Sequence, residues 1–170
     1  MNLKTRKIAH AALIAALYVV LTHMQNMIFP NSASFAIQCR FSEALCVLAL
    51  FSPAAISGLT IGCLLFNITF AAALPLDWLV GSLATLLSTA SMYALRGLCL
   101  KGYPLPALLM PALFNALLVG WELTIYIGGG FWINAFYVAL GEAIVLLTLG
   151  SLLLHVFKKR GLSQILFSYK

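Results

Sequence analysis

Long apolar runs alternate with short polar breaks along this chain, and the pattern predicts helices that cross a membrane. The first run covers residues 8–29 and ends at Pro30, before a polar loop at 31–34. As a helix, its 22 residues would span roughly 33 Å, which is enough to cross a bilayer. Uninterrupted runs, rather than strand-like alternation, favour helices because only helices and closed barrels satisfy the backbone in lipid.

The apolar stretch at 44–76 is too long for one tight crossing, and Ser52-Pro53 divides it. Serine is a good N-cap, and proline is favoured at the first helical position after the cap. We therefore predict two short crossings joined by a tight turn. The full prediction is six crossings, the fifth of them bent near Pro111: residues 8–29, 41–51, 54–73, 75–95, 104–127 and 131–157.

The composition indicates an all-α integral membrane protein that forms one domain over residues 1–170. Hydrophobic residues make up 63% of the chain and charged residues 8%, whereas soluble domains average about 25% charged residues. The first run is too long for a cleaved signal peptide and leads directly into further crossings, so we expect a transmembrane helix. The cysteines form no CxxC pair and predict no metal site: Cys39, Cys46, Cys63 and Cys99.

The basic residues decide how many crossings there are and which way they run. The net charge of +6 does not indicate nucleic acid, because the Lys and Arg residues lie in short clusters beside apolar runs. Six crossings place nine of the ten on one side and leave only Arg40 opposite, whereas five would divide them. The positive-inside bias therefore predicts six crossings with both termini cytoplasmic.

The acidic residues occupy the opposite, outer half of the predicted bundle. Glu43 and Asp77 begin crossings from that side, and Glu122 lies near the outer end of the fifth. Glu142 follows about ten residues into the sixth, or ~15 Å deep. An ionisable group at membrane depth is costly and indicates a function. The tryptophans gather at the same end and either form an interfacial belt or stack on a ligand: Trp78, Trp121 and Trp132.

Two groups of polar residues are candidates for a binding pocket. Arg40 and Glu43 lie three residues apart on one helix face, so they either pair with each other or form the mouth of a pocket with the Gln38 amide. Glu122 lies where the helix dipole disfavours an anion, and Asn115 precedes it by seven residues on the same face. Glu122 therefore lines a pocket, or it reaches headgroup water or the neighbouring helix.

The other two acids have different surroundings. Glu142 has no basic residue at its depth, so it is protonated, bonded across helices or bound to a ligand donor. Asp77 lies in the first turn of its helix, and we interpret it as stabilising that terminus. The chain has no Walker A, HExxH or GxSxG motif, so we expect no catalytic residues and no ATP hydrolysis by this chain.

Alanines form a small-residue face on the first crossing. Ala12 and Ala16 are four residues apart, as are Ala11 and Ala15, and such pairs let another helix approach closely. The third crossing repeats the pattern with Gly58 and Gly62. The alanine face either packs within the protein or docks on a separate membrane partner.

Two stretches carry a family resemblance: QCRFSEAL at 38–45 and GSLATL at 81–86. Together with AALYVVLT at 15–22, GLTIGC at 58–63 and NALLVGWEL at 115–123, they resemble the QueT family. Members of that family are substrate-binding S components of energy-coupling factor (ECF) transporters. The resemblance covers nearly the whole chain.

The resemblance implies a lipid-embedded, six-helix bundle in a bacterial cell membrane, which binds a substrate without catalysis or cofactor. The substrate would be a queuosine precursor, a 7-deazaguanine compound, in an outward-facing cavity capped by the loop after the first helix. The small-residue face would dock on a transmembrane coupling subunit. Two separate ATPases would then drive this subunit to topple in the membrane.

The residue chemistry is compatible with such a substrate. A guanine-like base presents an N–H and an exocyclic amine side by side, and one carboxylate of Glu122 or Glu142 can accept both, with Asn115 at the carbonyl edge. The alternative function is a stand-alone, proton-coupled secondary transporter that uses Glu142 as its proton carrier. The candidates for stacking on the ring are aromatic: Trp121, Trp132 and Phe41.

Overall fold

The computed structural model describes residues 2–30, 39–70 and 73–167, with the side chains of 163–165 excepted. Within these ranges every regular element is helical, apart from a single bridge between Leu100 and Tyr103. The predicted all-α class is confirmed for this part of the chain. Counting α4 with α5 and α6 with α7, it contains six long helical segments and a short α8.

The helices follow one another along the chain in the order given below. A 3₁₀ helix, Phe41–Leu50, lies between α1 and α2, and a π-helical turn, Leu146–Gly150, joins α6 to α7. The α-helices are α1 (Leu3–Ile28), α2 (Pro53–Thr69), α3 (Asp77–Ala94), α4 (Leu105–Leu108), α5 (Met110–Tyr126), α6 (Phe131–Val145), α7 (Ser151–Lys159) and α8 (Leu162–Phe167).

The 3₁₀ helix runs through the middle of the bundle. Each of its residues from Ser42 to Leu50 is buried, so other helices surround it on all sides. Ten residues at about 2.0 Å each extend it to ~20 Å, about a third longer than the same residues would be as an α-helix. The sequence predicts a short crossing here but gives no sign of its 3₁₀ geometry.

Local signals explain where several helices begin. The Ser52 side chain accepts a hydrogen bond from the N–H of Ala54, and Pro53 is the first residue of α2, as the sequence predicts. The fourth segment begins at Asp77, two residues later than predicted. The predicted bend in the fifth segment is present at Leu109, just before Pro111 in the first turn of α5.

α1 and α2 pack closely because glycine faces alanine. A β-carbon at Gly58 would lie 2.6 Å from the Ala11 carbonyl oxygen, and one at Gly62 would lie 3.0 Å from the Ala15 carbonyl oxygen. Both distances are below ordinary van der Waals contact. Only the missing side chains of α2 therefore allow the two backbones to approach this closely.

In the described part of the chain, three helical segments are long and apolar enough to cross a membrane: Leu3–Ile28, Leu105–Tyr126 and Phe131–Lys159. Large apolar side chains project from their outer faces, including Val20, Leu117 and Phe136. Such surfaces are typical of helices that face lipid rather than water. The side of the membrane on which the termini lie stays a prediction.

Candidate functional site

All four acidic residues of the chain are buried. Glu43, Asp77, Glu122 and Glu142 are each at most 2% exposed. Acidic side chains are almost never fully buried unless they are paired. Taking a carboxylate out of water costs several kcal/mol after relaxation, so four buried carboxyls in one small protein indicate a functional site.

Arg40 supplies the positive charge next to these acids. It precedes the 3₁₀ helix and is the one buried basic residue among those the structure describes. Its guanidinium interacts electrostatically with each of the four acids, Glu43, Asp77, Glu122 and Glu142. One cation faces four carboxyls, which leaves the buried cluster with an excess of acidic groups.

α1 holds the segment that carries Arg40 in place. The Gln25 side chain donates to the Cys39 carbonyl and accepts a hydrogen bond from the Phe41 N–H at 2.7 Å. One amide thereby satisfies the backbone on both sides of Arg40, because it offers a donor and an acceptor together. A further contact lies one turn away, where the Thr22 and Ser42 hydroxyls are 2.7 Å apart.

Glu43 is the acid with the most complete set of hydrogen bonds. Its Oε1 accepts a bond from the Tyr18 hydroxyl at 2.7 Å, and its Oε2 accepts one from the Cys46 thiol at 3.1 Å. Both Glu43 oxygens therefore have donors, one from α1 and one from the 3₁₀ helix itself, and Arg40 acts on Glu43 electrostatically. Glu43 has a structural set of partners that the other acids do not share.

Glu142 lies on α6, facing Glu43 and Asn115. It is fully buried, and neither of its carboxyl oxygens makes a hydrogen bond of ordinary length with a described residue. The Cys39 Sγ lies 3.9 Å from the carbonyl oxygen of Gly141, the residue before Glu142. Burial, with the Glu142 charge as a smaller contribution, raises the pKa of the Cys39 thiol, so this neighbour adds no negative charge.

Glu122 lies on α5 and interacts with Asp77 at the start of α3. As with Glu142, both Glu122 oxygens lack a hydrogen bond of ordinary length from described residues. The cluster thus contains several buried acceptors without donors, and each costs about 1–3 kcal/mol relative to a bonded one. Such an arrangement can accept N–H groups from a ligand.

The structure brings together five of the eight ligand-binding residues predicted from the sequence. A sixth, Gln38, lies outside the described residues, as does the loop at 31–38 that the resemblance places over the cavity. The five are all buried and interact with one another electrostatically, and we refer to them with Asp77 as the acidic cluster: Arg40, Glu43, Asn115, Glu122 and Glu142.

The tryptophans do not join this cluster. Trp121 is 49% exposed and Trp132 is 79% exposed, and Trp78 and Phe41 are also exposed. Their rings lie on the outer surface of the bundle, where an interfacial belt is the better interpretation. We therefore leave Trp121 and Trp132 out of the proposed site.

Three residues near the acids were assigned no binding role in the sequence analysis. Asp77 lies in the first turn of α3 as predicted, but it also faces Glu122. Asn67 and Tyr18 are buried beside the acids and bond to Asp77 and Glu43 respectively. All three residues have mainly apolar neighbours in the sequence, so no local motif marks them as part of a site. The one sequence signal for them was a polar side chain within a long apolar segment.

The alanines of α1 divide into two pairs. Ala11 and Ala15 contact α2 at Gly58 and Gly62. Ala12 and Ala16 are exposed and line an open groove of about 680 Å³ between α1 and α2. Internal packing therefore explains one pair, and the other remains available to a partner. The groove does not include any of the buried acids.

Comparison with known protein families gives a match over most of the chain. A sequence profile described as the QueT transporter matches residues 8–159, which includes every residue of the acidic cluster and both alanine pairs. No curated protein and no solved structure matches the chain.

Proposed function

The chain belongs to the QueT transporter family, and we propose that it is the substrate-binding S component of an ECF importer for a queuosine precursor. Membership of this family, together with the long apolar helices, indicates a multi-pass membrane protein that takes part in transport. The substrate, the site and the coupling to ATPases are our proposals.

One observation supports a ligand at the acidic cluster more than any other. Glu122 and Glu142 are fully buried, yet their four oxygens lack hydrogen bonds of ordinary length from described residues. A protein interior rarely leaves a buried polar atom unsatisfied without a reason such as ligand binding. A ligand rich in N–H groups would supply the missing donors.

The deazaguanine face fits the arrangement at Glu142. Its ring N–H and exocyclic amine can donate side by side to the two Glu142 oxygens, while the Asn115 amide donates to the ring carbonyl. Asn115 is buried and interacts with Glu142 across the α5–α6 contact. Hydrogen bonds to a charged group contribute about 1.5–3 kcal/mol each, so this face can account for selective binding.

The direction of binding follows from the basic clusters. Most Lys and Arg residues lie near the N-terminus of α1, in the α3–α4 connection and at the end of α7. Asp77 and Glu122 lie at the opposite helix ends. With the basic ends cytoplasmic, these two acids lie toward the outer side of the membrane, from which an importer receives its substrate.

The groove between α1 and α2 is the proposed docking surface for the transmembrane coupling subunit. Ala12 and Ala16 expose a small-residue strip there, next to Pro53, Ala54 and Ser57 of α2. A small-residue strip permits close helix contact within lipid. Two separate ATPases would act through that subunit, since the chain has no nucleotide-binding loop of its own.

Calorimetry on the purified chain in lipid nanodiscs tests the proposal. We expect saturable binding of a 7-deazaguanine and clear loss of affinity for its N1-methylated analogue, which lacks the ring N–H donor and places a methyl group against Glu142. A site shaped for a missing donor rejects the analogue strongly because its acceptor stays unpaired. Equal binding of both compounds, or of neither, would contradict this assignment of substrate.

The unbonded carboxyl of Glu142 also favours a second candidate, a stand-alone transporter that couples uptake to protons. Proteoliposomes that contain only this chain distinguish the two functions. Uptake driven by an imposed pH gradient would support the second candidate. Uptake that requires the coupling subunit, the ATPases and ATP would support the ECF importer.

A further inference from the structure

A second open groove lies between α1 on one side and α7 and α8 on the other. Its volume is about 210 Å³, less than a third of that of the groove between α1 and α2. Leu13 and Leu17 line it from α1, Phe157 from α7 and Phe167 from α8. Leu48 of the central 3₁₀ helix, a buried residue, lines it as well. The groove therefore extends from the surface of the bundle inward to its central helix.

The apolar part of this groove suits a hydrocarbon chain. Leu13 and Leu17 are 68% and 43% exposed, so their side chains are open to the surroundings of the protein. An apolar space without partner atoms forfeits dispersion contacts, and water does not fill it because it finds no hydrogen bonds there. In a bilayer, acyl chains are the atoms at hand. The small volume suits one such chain better than a helix.

The end of the groove nearest the N-terminus of α1 is polar and basic. His10 lines it there, and its ring meets the Phe167 ring edge-on with the centroids 5.8 Å apart. Arg6 precedes His10 by four residues and so lies on the same face of α1, one turn nearer the N-terminus. On the other side, Arg160 follows Phe157 by three residues at the end of α7. Two guanidinium groups thus flank one end of an apolar groove.

The two parts of this surface match the two parts of an anionic phospholipid. Basic residues beside a pocket between membrane helices are typical of sites for anionic lipid headgroups. A guanidinium can donate two parallel N–H bonds to one phosphate. A zwitterionic lipid offers the same phosphate and chains but adds a cation, which has the same sign as the two arginines. The charges therefore favour a lipid whose headgroup is anionic.

We propose that the groove between α1, α7 and α8 binds one anionic phospholipid, with an acyl chain against Leu13 and Leu17 and the phosphate at Arg6 and Arg160. We call it the lipid groove. Its lining shares no residue with the proposed docking surface and contains none of the acidic cluster. The inference requires a membrane around the bundle and does not depend on the identity of the transported substrate.

Native mass spectrometry of the wild-type chain tests the lipid groove first. The chain is reconstituted in nanodiscs of phosphatidylglycerol and phosphatidylcholine in equal amounts and with identical acyl chains. We expect one phosphatidylglycerol to stay bound on release, about tenfold or more often than phosphatidylcholine, since each basic residue near a headgroup adds to the attraction. Equal retention of the two lipids, or retention of neither, overturns the proposal. This comparison requires no variant and so does not depend on whether a substitution folds.

Filling the groove locates the retained lipid. Leu13→Trp combined with Leu17→Trp should abolish retention, because two indole rings occupy the space of the acyl chain. Leu83→Trp combined with Leu87→Trp is the matched control, since these are two exposed leucines with the same spacing on α3. Retention that survives the first pair overturns the assignment to this groove.

A charge-removing pair tests the headgroup contacts. Arg6→Gln combined with Arg160→Gln should bring retention of the two lipids to within about twofold of each other. Arg96→Gln combined with Lys101→Gln removes the same charge from the α3–α4 connection and should leave the preference intact. Equal effects of the two pairs would overturn the local contacts, because general attraction of the lipid to the basic end would then explain the preference.

Thermal unfolding in nanodiscs gives a second measurement within the bilayer. The unfolding temperature of the wild-type chain should rise with the fraction of phosphatidylglycerol, because a lipid bound to the folded state stabilises it. In the variant with Leu13→Trp and Leu17→Trp it should not rise. A wild-type dimer that this variant dissociates would identify a second copy of the chain as the occupant and overturn the lipid. Binding of a 7-deazaguanine should be unchanged in the variant, so the lipid groove and the proposed function can fail separately.

Discussion

The Tyr18 hydroxyl donates a hydrogen bond of 2.7 Å to Glu43 Oε1, and both side chains are buried. The bond joins α1 to the central 3₁₀ helix. α1 also carries Ala12 and Ala16 on the groove side. The same helix therefore supports the acidic cluster on one face and forms the proposed docking surface on another.

Replacing Tyr18 with Phe should destabilise the protein by about 1–3 kcal/mol, because Glu43 Oε1 loses its donor while remaining buried. Chemical unfolding in detergent micelles measures the change. In the Glu43→Gln background the same replacement should cost less, since an amide oxygen is a weaker acceptor than a carboxylate oxygen. Identical costs in the two backgrounds would show that the carboxyl is no better a partner for this hydroxyl than an amide.

Gly58 is a position where one methyl group should disturb the α1–α2 packing. In Gly58→Ala, the new β-carbon meets the Ala11 carbonyl oxygen at 2.6 Å, and a backbone atom cannot turn aside. We expect a loss of about 1–3 kcal/mol in the free energy of unfolding. Gly97→Ala is the control, because no described atom lies within 4 Å of that position. Equal stability of the two variants would argue against the tight contact.

The docking surface makes a separable prediction. Ala12→Leu combined with Ala16→Leu should fill the groove and block co-purification with the coupling subunit, while stability and ligand affinity stay unchanged. Both residues are exposed, so the added side chains need not enter the core. The matched control is Val20→Leu with Met24→Leu, two exposed positions on α1 outside the groove.

Normal assembly of the Ala12/Ala16 variant would exclude this groove as the docking surface. Ala11→Leu with Ala15→Leu should behave differently, because those two residues pack against Gly58 and Gly62. We expect the Ala11→Leu and Ala15→Leu variant to have a lower free energy of unfolding, whereas the Ala12→Leu and Ala16→Leu variant keeps its stability.

The tryptophans should report on lipid rather than on the ligand. Trp132→Phe should leave ligand affinity unchanged, because the Trp132 side chain is exposed and away from the buried acids. Brominated lipids should quench the wild-type tryptophan fluorescence, and the ligand should change it little. A loss of ligand affinity in Trp132→Phe would show that the Trp132 ring does contribute to the binding site.

Much of the architecture could be predicted from the sequence because lipid imposes strong rules on it. Apolar run length gives the long helices, and Ser52-Pro53 marks the start of α2, which is observed. The basic residues predict the topology through their placement alone. The acids were candidates for a functional site on the same grounds, since an ionisable residue in an apolar helix indicates function, but their complete burial was not predicted.

Other features depend on tertiary contacts that no local pattern shows. The 3₁₀ geometry of Phe41–Leu50 is a property of a helix enclosed on all sides. The role of Asp77 follows from its contact with Glu122, 45 residues away in the sequence. The alanine pairs look equivalent in the sequence, and only the position of α2 separates Ala11 and Ala15 from Ala12 and Ala16.

The central claim is that buried carboxyls without donors form the ligand site, and Glu142 tests it most directly. Calorimetry should compare binding of the same 7-deazaguanine by the wild-type chain and by Glu142→Gln, both folded in nanodiscs. We expect the substitution to weaken binding about tenfold or more, because one acceptor becomes an amide donor facing the ligand's N–H groups. Equal affinity in the two proteins would contradict the claim.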